Sequence, residues 1–160
     1  SFESNVKVYH LTLSDISCTN LISRSNSTIN SFVFFRTKPD EYLHNSKQTR
    51  NSKFFSLRGT KKCPLGMKTN GGYLRTRIIN STSNPDWGDD EFSITIKAAP
   101  EDMALNGAML YVSVMNSETT REAHIGTVRI NLKESCSLEP SDTMKTQTIE
   151  KPITKNGQIN

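Results

Sequence analysis

The stretch that most constrains what this chain can fold into is Tyr73–Ile96, YLRTRIINSTSNPDWGDDEFSITI. Arg75–Ile79 is an extended, β-branched run. Phe92, Ile94 and Ile96 alternate with Ser93 and Thr95, which is the period of a half-buried strand. Between the two runs Ser81–Asn84 carries little apolar weight. Pro85 fixes its own φ and pushes Asn84 into extended geometry, and Trp87 is the only indole in the chain. The expectation is two strands joined by a plugged turn, with the rest of the fold built outward from that pair.

The remaining runs have the same character. Asn5–Leu13 reads as a first strand, with Val6 and Val8 on one face and Leu11 and Leu13 on the other, so a bulge or a change of face is expected within it. Asp15–Asn30 is a polar loop whose greasy residues are Leu21, Ile22 and Ile29. Phe32–Phe35 is apolar on both faces, as a central strand is. In Met109–Met115, Leu110, Val112 and Val114 alternate with Met109, Tyr111 and Met115; in Ile125–Leu132, Val128, Ile130 and Leu132 alternate with Thr127, Arg129 and Asn131. Met144–Ile149 is a weaker strand, and Asn156-Gly157 a turn before a short last segment. Several strands without a convincing helix predict an all-β antiparallel sandwich. A length of 160 residues suits one domain. Ser1 and the abrupt end suggest a piece of a larger protein. No run approaches the ~18 apolar residues of a membrane-crossing helix, so membrane contact is expected to be peripheral.

The net charge of +4 is unevenly spread. Residues 36–77 hold eleven Lys and Arg against Asp40 and Glu41, a net of +9, which leaves −5 for the remainder. Such a concentration fits an anionic surface, lipid or nucleic acid, or else a solvated loop. Few aromatics interleave the basic run beyond Phe54, Phe55 and Tyr73, so nucleic acid is the weaker reading. Phe54, Phe55 and Leu57 are expected to pack on the sheet as a short extra strand or turn, the alternative being an amphipathic contact. Cys18, Cys63 and Cys136 are odd in number and lack CxxC spacing, which favours reduced structural thiols. The two Asn-x-Ser/Thr sequons at Asn26 and Asn80 are expected by chance in so Asn- and Ser-rich a chain. His10, His44 and His124 are dispersed, with no nucleophile or carboxylate at a motif spacing, so no enzyme is expected.

The wording of the first stretch resembles the signature of the C2 domain family. In that signature a basic strand containing Thr runs through Asn-Thr-x-Asn-Pro-x-Trp into a strand that opens with an acid and Phe. The matching letters are Arg75, Thr76, Arg77, Asn80, Thr82, Asn84, Pro85, Trp87, Glu91 and Phe92. Phe32-Val33 followed by Pro39-Asp40 is similar to the family's Asp-Pro-Tyr-Val strand, and Leu110–Val114 with His124-Ile125-Gly126 to its later strand and Ile-Gly. The resemblance covers about Val6–Leu132 and implies an eight-stranded antiparallel Greek-key β-sandwich. Glu41–Gly72 exceeds the usual loop and reads as a long basic insertion.

Calcium-binding members of the family gather carboxylates at one end, since the dication wants six to eight oxygens. The resemblance places those positions at Arg24, Ser27, Asn30, Asn116, Glu118 and Ala123, where one carboxylate survives and Arg24 and Arg121 add repulsion. No calcium and no other cofactor is expected. The acidic turn Asp86, Asp89, Asp90 and Glu91 promises at most a weak cation site. Many members hold phosphoinositides on a basic sheet face, which the resemblance places at Arg36, Lys38, Arg75 and Arg77, with Arg58, Lys61, Lys62 and Lys68 from the insertion. Arg75 and Arg77 share one face by the two-residue period. Leu21, Ile22 and Ile29 are candidate membrane-contact residues. The implied partners are anionic lipids (phosphoinositides, phosphatidylserine, phosphatidic acid), met at the cytosolic face of a membrane. The alternative is a scaffold module that docks a protein or another domain of its own chain.

Overall fold

The computed structural model describes residues 7–22, 28–38, 47–48, 74–98, 109–118, 121–132, 147–155 and 158–159. In chain order the strands are β1 (Lys7–Leu13), β2 (Ile16–Ser17), β3 (Ser31–Lys38), β4 (Lys47–Gln48), β5 (Leu74–Arg75), β6 (Asp86–Trp87), β7 (Phe92–Ala98), β8 (Met109–Ser117), β9 (Glu122–Asn131), β10 (Thr154–Lys155) and β11 (Gln158–Ile159). One sheet has the order β1-β7-β4, a second β11-β10-β9-β8-β3-β5, and β2 and β6 form a small ribbon. Every pairing is antiparallel. The all-β antiparallel sandwich expected from the alternating runs is therefore the observed architecture. The eight-strand count and the insertion at 41–72 turn in part on residues outside those described.

The core lies between the two larger sheets. Val33, Phe35, Leu110 and Val114 face it from the six-stranded sheet, and Tyr9, Phe92 and Ile94 from the other. Phe35 and Phe92 meet across the gap with ring centroids 5.0 Å apart and planes tilted by 58°, within the centroid range of favourable aromatic pairs. Burying each such ring contributes about 1.5–3 kcal/mol.

The first strand differs from expectation. β1 pairs with β7 without interruption, from Lys7 opposite Ala98 to Leu13 opposite Phe92. Tyr9 is buried, and Leu11 and Leu13 pack against the core from the same face. Val8 takes the outer face and is half exposed, so no bulge is needed: alternation is set by Tyr9, which the reading by valines overlooked. At the other end of the chain, residues 147–149 form no strand, and the described part of the expected Met144–Ile149 strand is irregular. The late pairing falls instead on β10 and β11, which pair antiparallel.

Several of the signature-like letters of the central stretch have a structural duty. β5 leaves the ladder after Arg75: Phe34 pairs with Arg75, but the next bridge joins Ser31 to Ile79, a shift of one residue. Thr76 occupies the kink. Its N–H donates to the Val33 carbonyl at 2.8 Å, while its Oγ1 accepts the Val33 N–H at 2.9 Å, so the hydroxyl stands in for a backbone acceptor. The Arg77 carbonyl then receives both the Thr76 hydroxyl at 2.9 Å and the Trp87 indole Nε1–H at 3.0 Å. Farther on, the Pro85 carbonyl accepts the Cys18 N–H at 3.0 Å and Asn84 Oδ1 the Asn20 N–H, also at 3.0 Å. Asn20 has φ 56, which suits an Asn in the left-handed region. The polar loop after β1 is thereby laid along the Asn-Pro-x-Trp segment, and the completely buried Trp87 is closed over.

Candidate functional site

The described positions singled out in the sequence fall on two surfaces, the loop tip at one end of the sandwich and the outer face of the six-stranded sheet. At the tip, Asn116 Oδ1 accepts the Asn30 N–H at 2.9 Å, the Asn30 carbonyl accepts the Ser117 N–H at 2.7 Å, and Asn30 Oδ1 accepts the Ser81 N–H at 3.0 Å. Asn116 is buried. These two amides tie three loops together, and a neutral amide does this without the desolvation cost of a buried carboxylate. Glu118 is held by Arg121, Nε to Oε2 at 3.2 Å, across the turn that joins β8 to β9. Ala123 lies opposite Asn116 in the β8–β9 ladder and offers no ligand atom. Arg24 and Ser27 lie outside the described residues. Among the described residues no three His, Cys, Asp or Glu side chains group closely enough to hold a metal ion.

The acidic turn is used internally. Asp86 Oδ1 accepts the Gly88 N–H at 2.8 Å, the fully buried Asp90 accepts the Arg77 N–H at 3.2 Å, and Asp89 faces Arg77 Nη2 at 3.7 Å.

Of the apolar loop residues, Leu21 and Ile29 were expected at a membrane and are instead part of the sandwich core, 7% and 8% exposed. The cause is backbone bonding to the central turn: the Leu21 N–H donates to the Ser83 carbonyl, and the Thr82 N–H to that of Ile29. Both side chains are drawn inward. Ile22 alone of the three is on the surface, at 70% exposure.

On the outer face, register settles which side chains are neighbours, since directly opposed residues share a face. One row runs Arg36, Tyr111, Arg129; Lys38 and Met109 follow it toward one end. The next row toward the tip is Arg75, Phe34, Ser113, Thr127, and the one after it Phe32, Met115, His124. Arg36 stacks its guanidinium over the Tyr111 ring, 4.7 Å from the centroid, and Arg75 lies 3.9 Å above Phe32. Lys38 and Arg129 are exposed. Phe32, Phe34 and Met115 are fully buried although they turn away from the sandwich core.

Of the expected cluster, Arg36, Lys38, Arg75 and Arg77 fall among the described residues. Arg75 is within 3.8 Å of Glu122, Nη1 to Oε1, and that carboxylate offsets its charge. Between the bridges at Arg75 and Ile79 the pairing slips by one residue, so the two-residue period does not by itself fix the face of Arg77; its partner Asp89 belongs to the acidic turn. Arg36 and Lys38 stay together. Arg129 joins them across Tyr111, and Lys151 is tied beneath through an Nζ–H to the Arg129 carbonyl at 3.2 Å. Arg129 was missed by a search confined to the basic stretch 36–77, although the alternation Thr127, Arg129, Asn131 had already put it on a polar face. Arg58, Lys61, Lys62 and Lys68, like Phe54, Phe55, Leu57 and Tyr73, lie outside the described residues.

Cys18 is partly buried against the core, and desolvation pushes its thiol up to about 11 from 9.0. That fits a structural rather than a reactive thiol. Cys63 and Cys136 lie outside the described residues.

An antiparallel sandwich closed by an Asn-Pro-x-Trp turn, with loops gathered at one tip and a basic sheet face, defines a β-sandwich binding module. A profile of the family described as C2 domain matches residues 62–149, more than half of the chain, and the chain belongs to the C2 domain family. Domains of this family are typically non-catalytic modules that target membranes or engage proteins. No match is found among the curated proteins. Among the described residues no helix is long and apolar enough to cross a membrane.

Proposed function

We propose that this domain is a calcium-independent, peripheral membrane-targeting module, working at the cytosolic face of a membrane and binding anionic phospholipid headgroups through the outer face of the six-stranded sheet. The observation that carries this reading is the row Arg36, Tyr111, Arg129 with Lys38 beside it, three cations in register on one face with an aromatic ring between two of them. Arg suits the task because its planar fork makes paired hydrogen bonds to phosphate oxygens. Calcium independence is supported by the tip, where Asn30 and Asn116 bond to each other's loops and Glu118 is engaged by Arg121.

Each cation near an anionic leaflet contributes about 1 kcal/mol, so three or four give roughly 3–4 kcal/mol, or about millimolar affinity. Such a module acts together with other anchors, through avidity. The test is sedimentation with vesicles containing phosphatidylserine, phosphatidic acid or a phosphoinositide, set against neutral vesicles. Binding to the anionic vesicles that falls with salt and with Arg36→Ala/Arg129→Ala supports the reading. Equal, salt-insensitive binding to neutral vesicles overturns it, and a protein captured under lipid-free conditions through the same face would favour the scaffold role.

A further inference from the structure

We infer that His124 makes the anion affinity of the outer sheet face pH-sensitive, binding being tighter when the imidazole is protonated. This deepens the lipid-binding reading and rests on it. His124 lies on the same face as Arg36 and Arg129, opposite Met115 in the ladder and half buried. Its Nε2 is 2.8 Å from Thr127 Oγ1, and that hydroxyl is 2.9 Å from Ser113 Oγ. The three groups form a chain that can run in either direction. With the ring neutral and its proton on Nδ1, Ser113 donates to Thr127 and Thr127 to Nε2. With the ring charged, Nε2–H donates to Thr127, whose own proton turns to Ser113. Either state satisfies both of these hydrogen bonds with no heavy atom of the three groups moved, so this chain accommodates a proton on the ring.

The charged groups around the ring fit this role. Among the described residues, β9 itself brings Glu122, whose charge is offset by Arg75 of β5, and Arg129; β3 brings Arg36 and Lys38. β8 presents Met115, Ser113 and Tyr111 on this face, and Thr154 of β10 bonds the Thr127 carbonyl. At the near tip Glu118 and Arg121 form their own pair. A proton on His124 thus adds to a face on which the charges of the described residues are already positive on balance. Imidazole is the side chain whose charge ordinarily changes between about pH 5 and 8.

The experiment is sedimentation with phosphatidylserine vesicles, whose headgroup keeps its charge over the range, at about pH 7.5 and about pH 5.5. One added cation near the leaflet predicts roughly fivefold tighter binding at the lower pH. The step is expected to vanish in His124→Gln, whose amide can still accept the Thr127 hydroxyl, and to persist in His10→Gln and His44→Gln. NMR provides a second readout: by reciprocity, adding the lipid as nanodiscs moves the His124 ring titration to higher pH. A step that survives His124→Gln, or binding that is equal at both pH values, overturns this inference and leaves the membrane reading standing. No binding at either pH removes both.

Discussion

Substituting Thr76 by Val keeps the shape of the side chain but takes the acceptor from the Val33 N–H, in a place where no solvent replaces it. An orphaned buried donor costs about 1–3 kcal/mol, and denaturant unfolding of Thr76→Val should show a loss of that size with little change in slope. A larger loss is expected at Trp87, since the ring is fully buried and its Nε1–H fixes the Arg77 carbonyl; Trp87→Ala should cost about 3–5 kcal/mol by the same measurement. Glu122 tests a different property. Its carboxylate offsets Arg75, so Glu122→Gln should leave stability nearly unchanged and tighten binding to phosphatidylserine vesicles by roughly twofold to fivefold, as read by sedimentation. Cys18 contributes to the alkaline side of the stability profile. The native thiol holds its proton to about 11 while the unfolded one releases it near 9.0, so the unfolded state binds fewer protons between those values. The contribution of Cys18 to stability is therefore fully present below about 9 and declines as pH rises toward about 11, a loss that Cys18→Ser should remove from the pH dependence of unfolding.

Among the elements, the tip is where one loop depends most on another. Asn116→Ala deprives the Asn30 N–H of its acceptor and should destabilise the domain by about 1–2 kcal/mol. Millimolar calcium is expected to leave the thermal midpoint of the unsubstituted domain where it was, as a scan with and without chelator would show, because a ligand stabilises only what it binds. The strands themselves were readable: the two-residue alternation in Met109–Met115 and Ile125–Leu132 gives the faces seen in β8 and β9, and Phe32–Phe35, apolar on both sides, is the strand flanked by β5 and β8. Alternation fails where a side chain takes over the ladder. Between Arg75 and Ile79 the pairing slips by one residue, and within that stretch the Thr76 hydroxyl accepts a backbone proton 43 positions away, which no local pattern encodes. Leu21 and Ile29 were misplaced for a related reason. A polar loop with three apolar residues reads the same whether they face outward or inward, and the direction is set by Ser83 and Thr82, some 50–60 positions on.

For the molecule as a whole, the family match at residues 62–149 omits two strands that the sandwich requires. β1 is the partner of β7, and β3 lies between β5 and β8. A chain cut to 62–149 would expose Phe92 and Ile94 on one sheet and Leu110 and Val114 on the other, so it should lack the cooperative thermal transition of the full 160 residues in circular dichroism. Of the basic stretch, Arg36, Lys38 and Arg75 are carried by the six-stranded sheet, while Arg58, Lys61, Lys62 and Lys68 lie outside the described residues. Arg129 could not be added from the charge run, because it stands opposite Tyr111 only once β8 and β9 have paired. The same long reach governs how the protein comes into being. Lys7 meets Ala98 and Leu13 meets Phe92, so at a ribosome adding about 5–20 residues per second the opening strand waits several seconds for its mate. Through that interval it is an unclaimed apolar ribbon, and a newborn copy is more exposed to its neighbours than the finished one.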